Sequence, residues 1–156
     1  MSEEQIGFFI REEPYGFLSN FERTPFKVQG IAYWTMEHYY QSMKADDAEI
    51  RRYIREAPTA RIAMVIGQEL EHNRHLKKYL RTDWNDEMKR SIMLIGLRAK
   101  FKNIVLRRLL LSTGDAILFE NNPDDPYWGI GDGSGKSWLG KLLMQVREEI
   151  QEGFVY

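Results

Sequence analysis

The sequence predicts an α+β fold, a single, mainly helical domain over residues 1–156 with a few short strands. Three observations carry this. Apolar rows of helical period fill the middle of the chain and its last segment. Short β-rich runs sit toward the two ends instead of alternating with the helices, which argues against a βαβ array. At 156 residues, with no internal repeat or linker tract, the chain is long enough for one core that buries about 70% of its unfolded surface.

The elements follow in order. Gly7-Phe8-Phe9-Ile10 reads as a first strand, and Pro14-Tyr15-Gly16 as a turn. Phe26-Lys27-Val28 and Ile31-Ala32-Tyr33 flank Gln29-Gly30, a two-residue hairpin turn. Thr35 caps a helix that carries Glu37, Gln41 and Lys44 and ends near Ala45. A second helix starts at Asp46 or Asp47 and runs toward Ala57. Pro58 stops it and suits the first turn of a third, near Thr59 to Leu70. Asp83 reads as the cap of the longest helix, whose apolar row is Met88, Ile92, Ile95 and Ala99. Another helix spans about Ile104 to Leu111 and is closed by Gly114. Ala116-Ile117-Leu118-Phe119 is a strand, Asn121 to Pro126 a loop, and Tyr127 to Gly131 an extended segment. The last helix runs from Ser137 to about Gln151, with Leu139, Leu142, Leu143, Val146 and Ile150 on its apolar face.

Composition narrows the function. A net charge of −1 gives no global field for a polyanion. The absence of cysteine removes disulfides, thiolate metal sites and a cysteine nucleophile. No apolar run approaches the roughly 18 residues of a membrane span, and Met1 to Gln5 lacks the charge pattern of a signal peptide. A cytoplasmic protein is the expectation. His38, His72 and His75 do not have metal-ligand spacing, so no metal or other cofactor is expected.

Glu37, Gln41 and Lys44 recur at helical spacing and so share one face. Each end of this row also has a structural explanation, because the helix dipole favours an acid near the start and a cation near the end. Gln41 has no such explanation. Seven residues rise about 10.5 Å, so the row suits an extended ligand better than a tight dyad. Gly133-Ser134-Gly135-Lys136-Ser137 lacks the earlier glycine of a phosphate loop, that position being Ile130. Its N–H groups either cradle an anion at a helix start or form a plain turn. Asp132, between two glycines, either faces a site or bonds its own backbone. Trp34 and Trp128 stand beside polar or glycine positions, where an indole either stacks on a flat base or packs in the core.

Ordered segments along nearly the whole chain resemble the NADAR family, in its YbiA-like branch. They are Gly16 to Phe21, Trp34 to Gln41 with Lys44-Ala45, Arg81-Thr82-Asp83-Trp84, Leu97 to Phe101, Thr113-Gly114-Asp115, Pro123-x-Asp125-x-x-Trp128-Gly129-Ile130-Gly131 and Leu139 to Met144. The resemblance implies an α+β fold and N-glycosidic chemistry. The implied substrates are ribosylamino-pyrimidine 5′-phosphates, early riboflavin intermediates, cleaved to free base and ribose 5-phosphate. Other branches are linked to ADP-ribose, including its removal from guanine. The family's motif residues fall on Asn20, Trp34, Glu37, Gln41, Lys44, Trp128, Gly129 and Asp132. Ser137 stands where members often carry asparagine, and its hydroxyl can cap the helix or contact phosphate.

On that footing Glu37 transfers the proton and stabilises the oxocarbenium-like charge at C1′. Asp132 orients ribose hydroxyls or a water, and Trp34 and Trp128 wall the base. Lys44 either pairs with phosphate or, as a neutral amine, forms a Schiff base with C1 of an opened ribose. Asn20, Gln41, Gly129 and Ser137 bind substrate. The expected partner is a small ribosyl phosphate or ADP-ribose-type molecule, with nucleic acid only as a substrate. The rival readings are an ADP-ribosyl hydrolase acting on guanine bases and a non-catalytic nucleotide-binding module. Oligomeric state is left open.

Overall fold

Contacts along the chain gather into two units. A mid-chain unit runs from Arg23 to Gly96, and a terminal unit combines the residues up to Glu22 with those from Leu97 onward. The computed structural model describes residues 3–10, 12–154 and 156; Met1, Ser2, Arg11 and Val155 lie outside the described residues. Six α-helices and four short strands are described, so the fold is α+β and mainly helical.

The mid-chain unit opens with a hairpin. Strands β1 (Gln5–Phe8) and β4 (Ile117–Glu120) belong to the other unit; here β2 (Phe26–Val28) pairs antiparallel with β3 (Ile31–Tyr33), Phe26 opposite Tyr33. Gln29 at φ 51° and Gly30 at φ 80° form the turn. Two positive φ values match the right-handed strand twist, and glycine adopts one without strain. Helix α1 (Met36–Ser42) follows, with the Thr35 hydroxyl accepting from His38 N–H as its cap. Every residue of α1 is buried.

Helix α2 (Ala48–Arg55) is capped by Asp47, and α3 (Ala60–His72) by Thr59. Both pack on α1. Ala45, Ile54, Ala57, Ala63 and Leu70 form the core they share. A bridge between Ala45 and Leu80 ties the end of the α1 segment to a short 3-10 turn at Lys77–Tyr79.

In the terminal unit β1 (Gln5–Phe8) pairs parallel with β4 (Ile117–Glu120), Gln5 beside Ile117. The unit boundary falls within α4 (Asp86–Lys100), between Gly96 and Leu97. Helix α5 (Ile104–Ser112) packs against α6 (Trp138–Gln151), which lies on β4. Leu139, Leu142, Leu143, Val146 and Ile150 are buried, as the apolar face of α6 predicts.

Several expectations need correction. The first strand begins at Gln5, two residues early. Asn85, not Asp83, caps α4, its side chain accepting from Met88 N–H, because Asp83 is committed to Arg81 at 2.6 and 3.0 Å. The buried face of α4 is Ile92, Met93, Gly96 and Leu97, while Ile95 is 48% exposed. Tyr127 to Gly131 is a set of turns, because Asp125 Oδ1 takes the N–H of both Tyr127 and Trp128 and curls the chain. Lys44 lies beyond the last residue of α1, in the turn that closes it.

Candidate active site

The mid-chain unit holds an enclosed polar network. Glu37, Gln41 and Lys44 are 6%, 4% and 3% exposed. Gln41 Nε2 donates to Glu37 Oε1 at 2.6 Å, an i, i+4 pair on one face of α1. The amide oxygen of Gln41 is buried with no hydrogen-bond partner among the described residues.

Helix α3 reaches this network through Gly67 and Glu71. A Cβ on Gly67 would stand 1.9 Å from Gln41 Oε1 and 2.9 Å from Gln41 Cβ, so only glycine fits against the amide. One turn later, Glu71 forms an ion pair with Lys44 Nζ. Burial pushes the Lys44 amine below its ordinary range. The Glu71 and Glu37 carboxylates act against that shift, and the Lys89 ammonium adds to it. Lys44 therefore pairs with a carboxylate in a setting that weakens its hold on its proton.

Aromatic rings enclose the amine. Lys44 Nζ lies 5.4 Å from the Tyr40 ring and 5.8 Å from the Trp84 ring, within cation–π range. Tyr40 and Trp84 contact each other at 5.5 Å. Neither Glu71 nor Trp84 is among the site residues that the sequence predicts. Glu71 does have a signal, since Gly67 and Glu71 share one face of α3 at i, i+4. Trp84 has only its place in the Arg81–Trp84 segment. Trp34 is 49% exposed, with the Arg23 guanidinium 4.4 Å from its ring.

His38 is not free for proton transfer. Its Nδ1 meets the Thr35 hydroxyl at 2.8 Å and its Nε2 donates to the Ala57 carbonyl at 2.9 Å. Burial holds its pKa below the ordinary value against the pull of that carbonyl. It braces α1 as a neutral ring.

The remaining predicted residues lie in the terminal unit. Asn20 is buried after a 3-10 turn at Gly16–Leu18. The preceding Ser19 carbonyl accepts from Lys100 Nζ at 3.2 Å, and Ser19 Oγ accepts from Phe21 N–H at 3.1 Å. Trp128 is half-buried, edge-on to Tyr127 at 4.8 Å. Gly129 is buried, and its carbonyl accepts from Ser137 N–H at 3.0 Å. Asp132 is exposed. Its Oδ1 accepts from both the N–H and the hydroxyl of Ser134, which holds the carboxyl below the usual carboxylate range.

The glycine segment does not cradle an anion. From Gly133 to Leu139 every backbone N–H is used: Ser134 N–H by Asp132, the other six by carbonyls of Pro126 to Ile130. Of the two readings, the plain turn holds. Ser137 sits in the left-handed region at φ 49° and makes no side-chain cap; its hydroxyl is buried with no partner among the described residues. Among the described residues no cluster of three or more His, Cys, Asp or Glu is placed to hold a metal ion, and no helix is long and apolar enough to cross a membrane.

Comparison with known proteins gives concordant matches. The family described as NADAR domain matches residues 8–151, a span that includes residues of both units. The chain is 40% identical to the N-glycosidase YbiA of Escherichia coli (strain K12) over 152 residues, 96% of this chain and 91% of that protein. An N-glycosidase of Nostoc punctiforme is 40% identical over 94% of this chain and 92% of its own length. A riboflavin biosynthesis protein of Vibrio vulnificus is 37% identical over 99% of this chain but only 41% of that protein. The NMR structure of E. coli YbiA superposes with a TM-score of 0.84 at 39% identity, covering 97% of this chain and 88% of that one.

Proposed function

The chain belongs to the NADAR family, and from that premise we propose that it is a cytoplasmic N-glycosidase. It hydrolyses the C1′–N bond of ribosylamino-pyrimidine 5′-phosphates, intermediates of riboflavin synthesis, to free base and ribose 5-phosphate. The names of its relatives, N-glycosidase and riboflavin biosynthesis protein, support the reaction class and the substrate class. The observation that carries the reading is the buried pairing of Glu37 with Gln41 and of Lys44 with Glu71.

Each group has a step. A ribosylamine opens when the nitrogen lone pair forms a C1=N double bond and the ring oxygen takes a proton. Glu37, oriented by the Gln41 amide, manages the proton on the nitrogen and stabilises the cationic carbon. Glu71 accepts the Lys44 proton, and the neutral amine adds to C1. The base then departs as its free amine, taking a proton and leaving Lys44 joined to C1 as an imine. Water adds at C1, the Lys44 amine leaves, and the aldehyde of ribose 5-phosphate is released. One water is consumed and both amines are restored.

The residues of the terminal unit are assigned to substrate contact. Asp132, ionised at neutral pH, suits ribose hydroxyls or a water better than proton donation. Asn20, Trp128, Gly129 and Ser137 are assigned to binding, as is Trp34 of the mid-chain unit.

Base release from a panel of ribosyl compounds, read by mass spectrometry, tests the proposal. Glu37→Gln is expected to lower release at least about a hundredfold, the scale of a lost proton-transfer group, with ribose 5-phosphate binding retained. Release at the parent rate, or turnover confined to ADP-ribosylated guanine, overturns it.

A further inference from the structure

The catalytic scheme leaves one buried amine unused. Lys100, the last residue of α4, is 1% exposed. Its Nζ donates to the Ser19 carbonyl at 3.2 Å and lies 5.4 Å from the Phe101 ring. No ion pair reaches it among the described residues. Burying an amine without a carboxylate on it is costly, and burial pushes its pKa down to about 7 against the attraction of Glu22. Packing alone does not call for a lysine here, since methionine is a flexible apolar side chain of similar length.

What the amine holds is the chain on either side of Asn20. Ser19 is 1% exposed, and each of its polar atoms is engaged. Its N–H donates to the Gly16 carbonyl at 3.0 Å, and its Oγ accepts from Phe21 N–H at 3.1 Å. Its carbonyl accepts from Glu22 N–H at 3.3 Å as well as from Lys100. The Ser19 carbonyl belongs to the peptide group before Asn20, and the Phe21 N–H to the one after it. Each peptide group is planar, so holding both fixes the backbone angles of Asn20 and the direction in which its side chain leaves the chain. Every other contact of this set comes from within the turn. Lys100 alone of them reaches in from a helix, 81 positions away.

We propose that Lys100 is a positioning residue for substrate binding: it fastens the Ser19–Phe21 turn to the end of α4 and so sets how Asn20 meets the substrate. The amine itself touches no substrate atom. The inference rests on the assignment of Asn20 to substrate contact, while the hold on the turn is tested without substrate.

Three variants of the full chain separate the roles. Lys100→Met removes the donor at similar length, Ser19→Ala removes the acceptor of the Phe21 N–H, and Asn20→Ala removes the side chain being aimed. Hydrogen exchange without substrate is expected to run about tenfold faster at the Phe21 amide in Lys100→Met, one hydrogen bond's worth, with the β4 amides not accelerated. In base release, Lys100→Met and Ser19→Ala are each expected to raise KM about tenfold with kcat little changed. In the Asn20→Ala background neither raises KM further, because the contact they aim is already gone. A purely structural role makes the factors multiply.

Unchanged exchange at Phe21, multiplying KM factors, or Asn20→Ala with the parent KM each overturns the inference. So does a Lys100→Met chain that does not fold, which makes the lysine a requirement of the fold and not of binding. The two readings fail separately. If the parent releases no base, the reaction is discarded, and the same comparison is read as Kd for ribose 5-phosphate by calorimetry. Weakening there that vanishes in the Asn20→Ala background retains the positioning role, and no affinity for ribose 5-phosphate discards it. Base release by the parent with multiplying factors in the variants keeps the reaction and discards the positioning role.

Discussion

Two lysines are buried among the described residues, and they are buried differently. Lys44, 3% exposed, has the Glu71 carboxylate on its ammonium and the rings of Tyr40 and Trp84 around it. Lys100, 1% exposed at the end of α4, has a single hydrogen-bond partner among the described residues, the Ser19 carbonyl. Burial lowers both amines, and it takes Lys100 from 10.5 to about 7 against the attraction of Glu22. A lowered proton affinity therefore does not by itself tell the two amines apart. Their settings do. Among the described residues no carboxylate is hydrogen-bonded or ion-paired to Lys100 to take its proton, and its donor holds the backbone just before Asn20. A depressed amine is necessary for imine chemistry, but the neighbouring proton acceptor makes it usable.

The largest expected effect tests that assignment directly. Borohydride added during turnover is expected to trap an adduct on Lys44, and Lys44→Met to lower base release by at least about a thousandfold, as removal of a nucleophile does. Lys100→Met is expected to keep the Lys44 adduct. An adduct found on Lys100 by peptide mass spectrometry reverses the comparison.

The second effect belongs to Lys100 and is one of stability. The folded protein releases this proton near pH 7, while the unfolded chain keeps it up to about 10.5. Between those values the unfolded state binds more protons, so stability rises with pH across the window. Lys100→Met has no such rise. Urea unfolding on either side of neutrality is expected to show the difference between parent and variant moving in the parent's favour as pH increases, by a few kcal/mol at most. Parallel pH profiles show that Lys100 keeps an ordinary proton affinity.

The smallest effect reaches the Lys44 network without touching the lysine. Gly67→Ala gains about 1 kcal/mol of helix propensity but drives a methyl group into the Gln41 amide. A fall of about tenfold in kcat, one hydrogen bond's worth, is expected, with the overpacking cost of about 1–3 kcal/mol read separately as a lower melting temperature of a protein that still folds. Full activity shows that Gln41 does not orient Glu37.

Local chemistry made much of the fold legible. The Gln29-Gly30 hairpin and the caps at Thr35, Asp47 and Thr59 depend on residues a few positions apart, and all stand where their composition puts them. Departures arose where a side chain had a competing partner: Asp83 is taken by Arg81, and Asp125 folds Tyr127 and Trp128 into turns. In the candidate site, Glu37 and Gln41 were readable from helical period. The Glu71 partner of Lys44 and the Trp84 ring beside it come from other elements, and no periodicity within α1 points to them. The NADAR resemblance supplied the reaction class, which spacing alone does not contain.

The strand pairing carries a consequence for the order of assembly. Gln5 finds its partner only at Ile117, so the terminal unit closes over a long intervening segment and meets the entropy of that closure. The mid-chain unit is one uninterrupted stretch, and its elements lie closer together in sequence than Gln5 and Ile117 do. During synthesis the mid-chain unit can therefore form while β1 is still waiting for β4 to leave the ribosome. The segment bearing Glu37, Gln41 and Lys44 can then mature before the terminal unit does, and β1 must stay unpaired and soluble until β4 has been made.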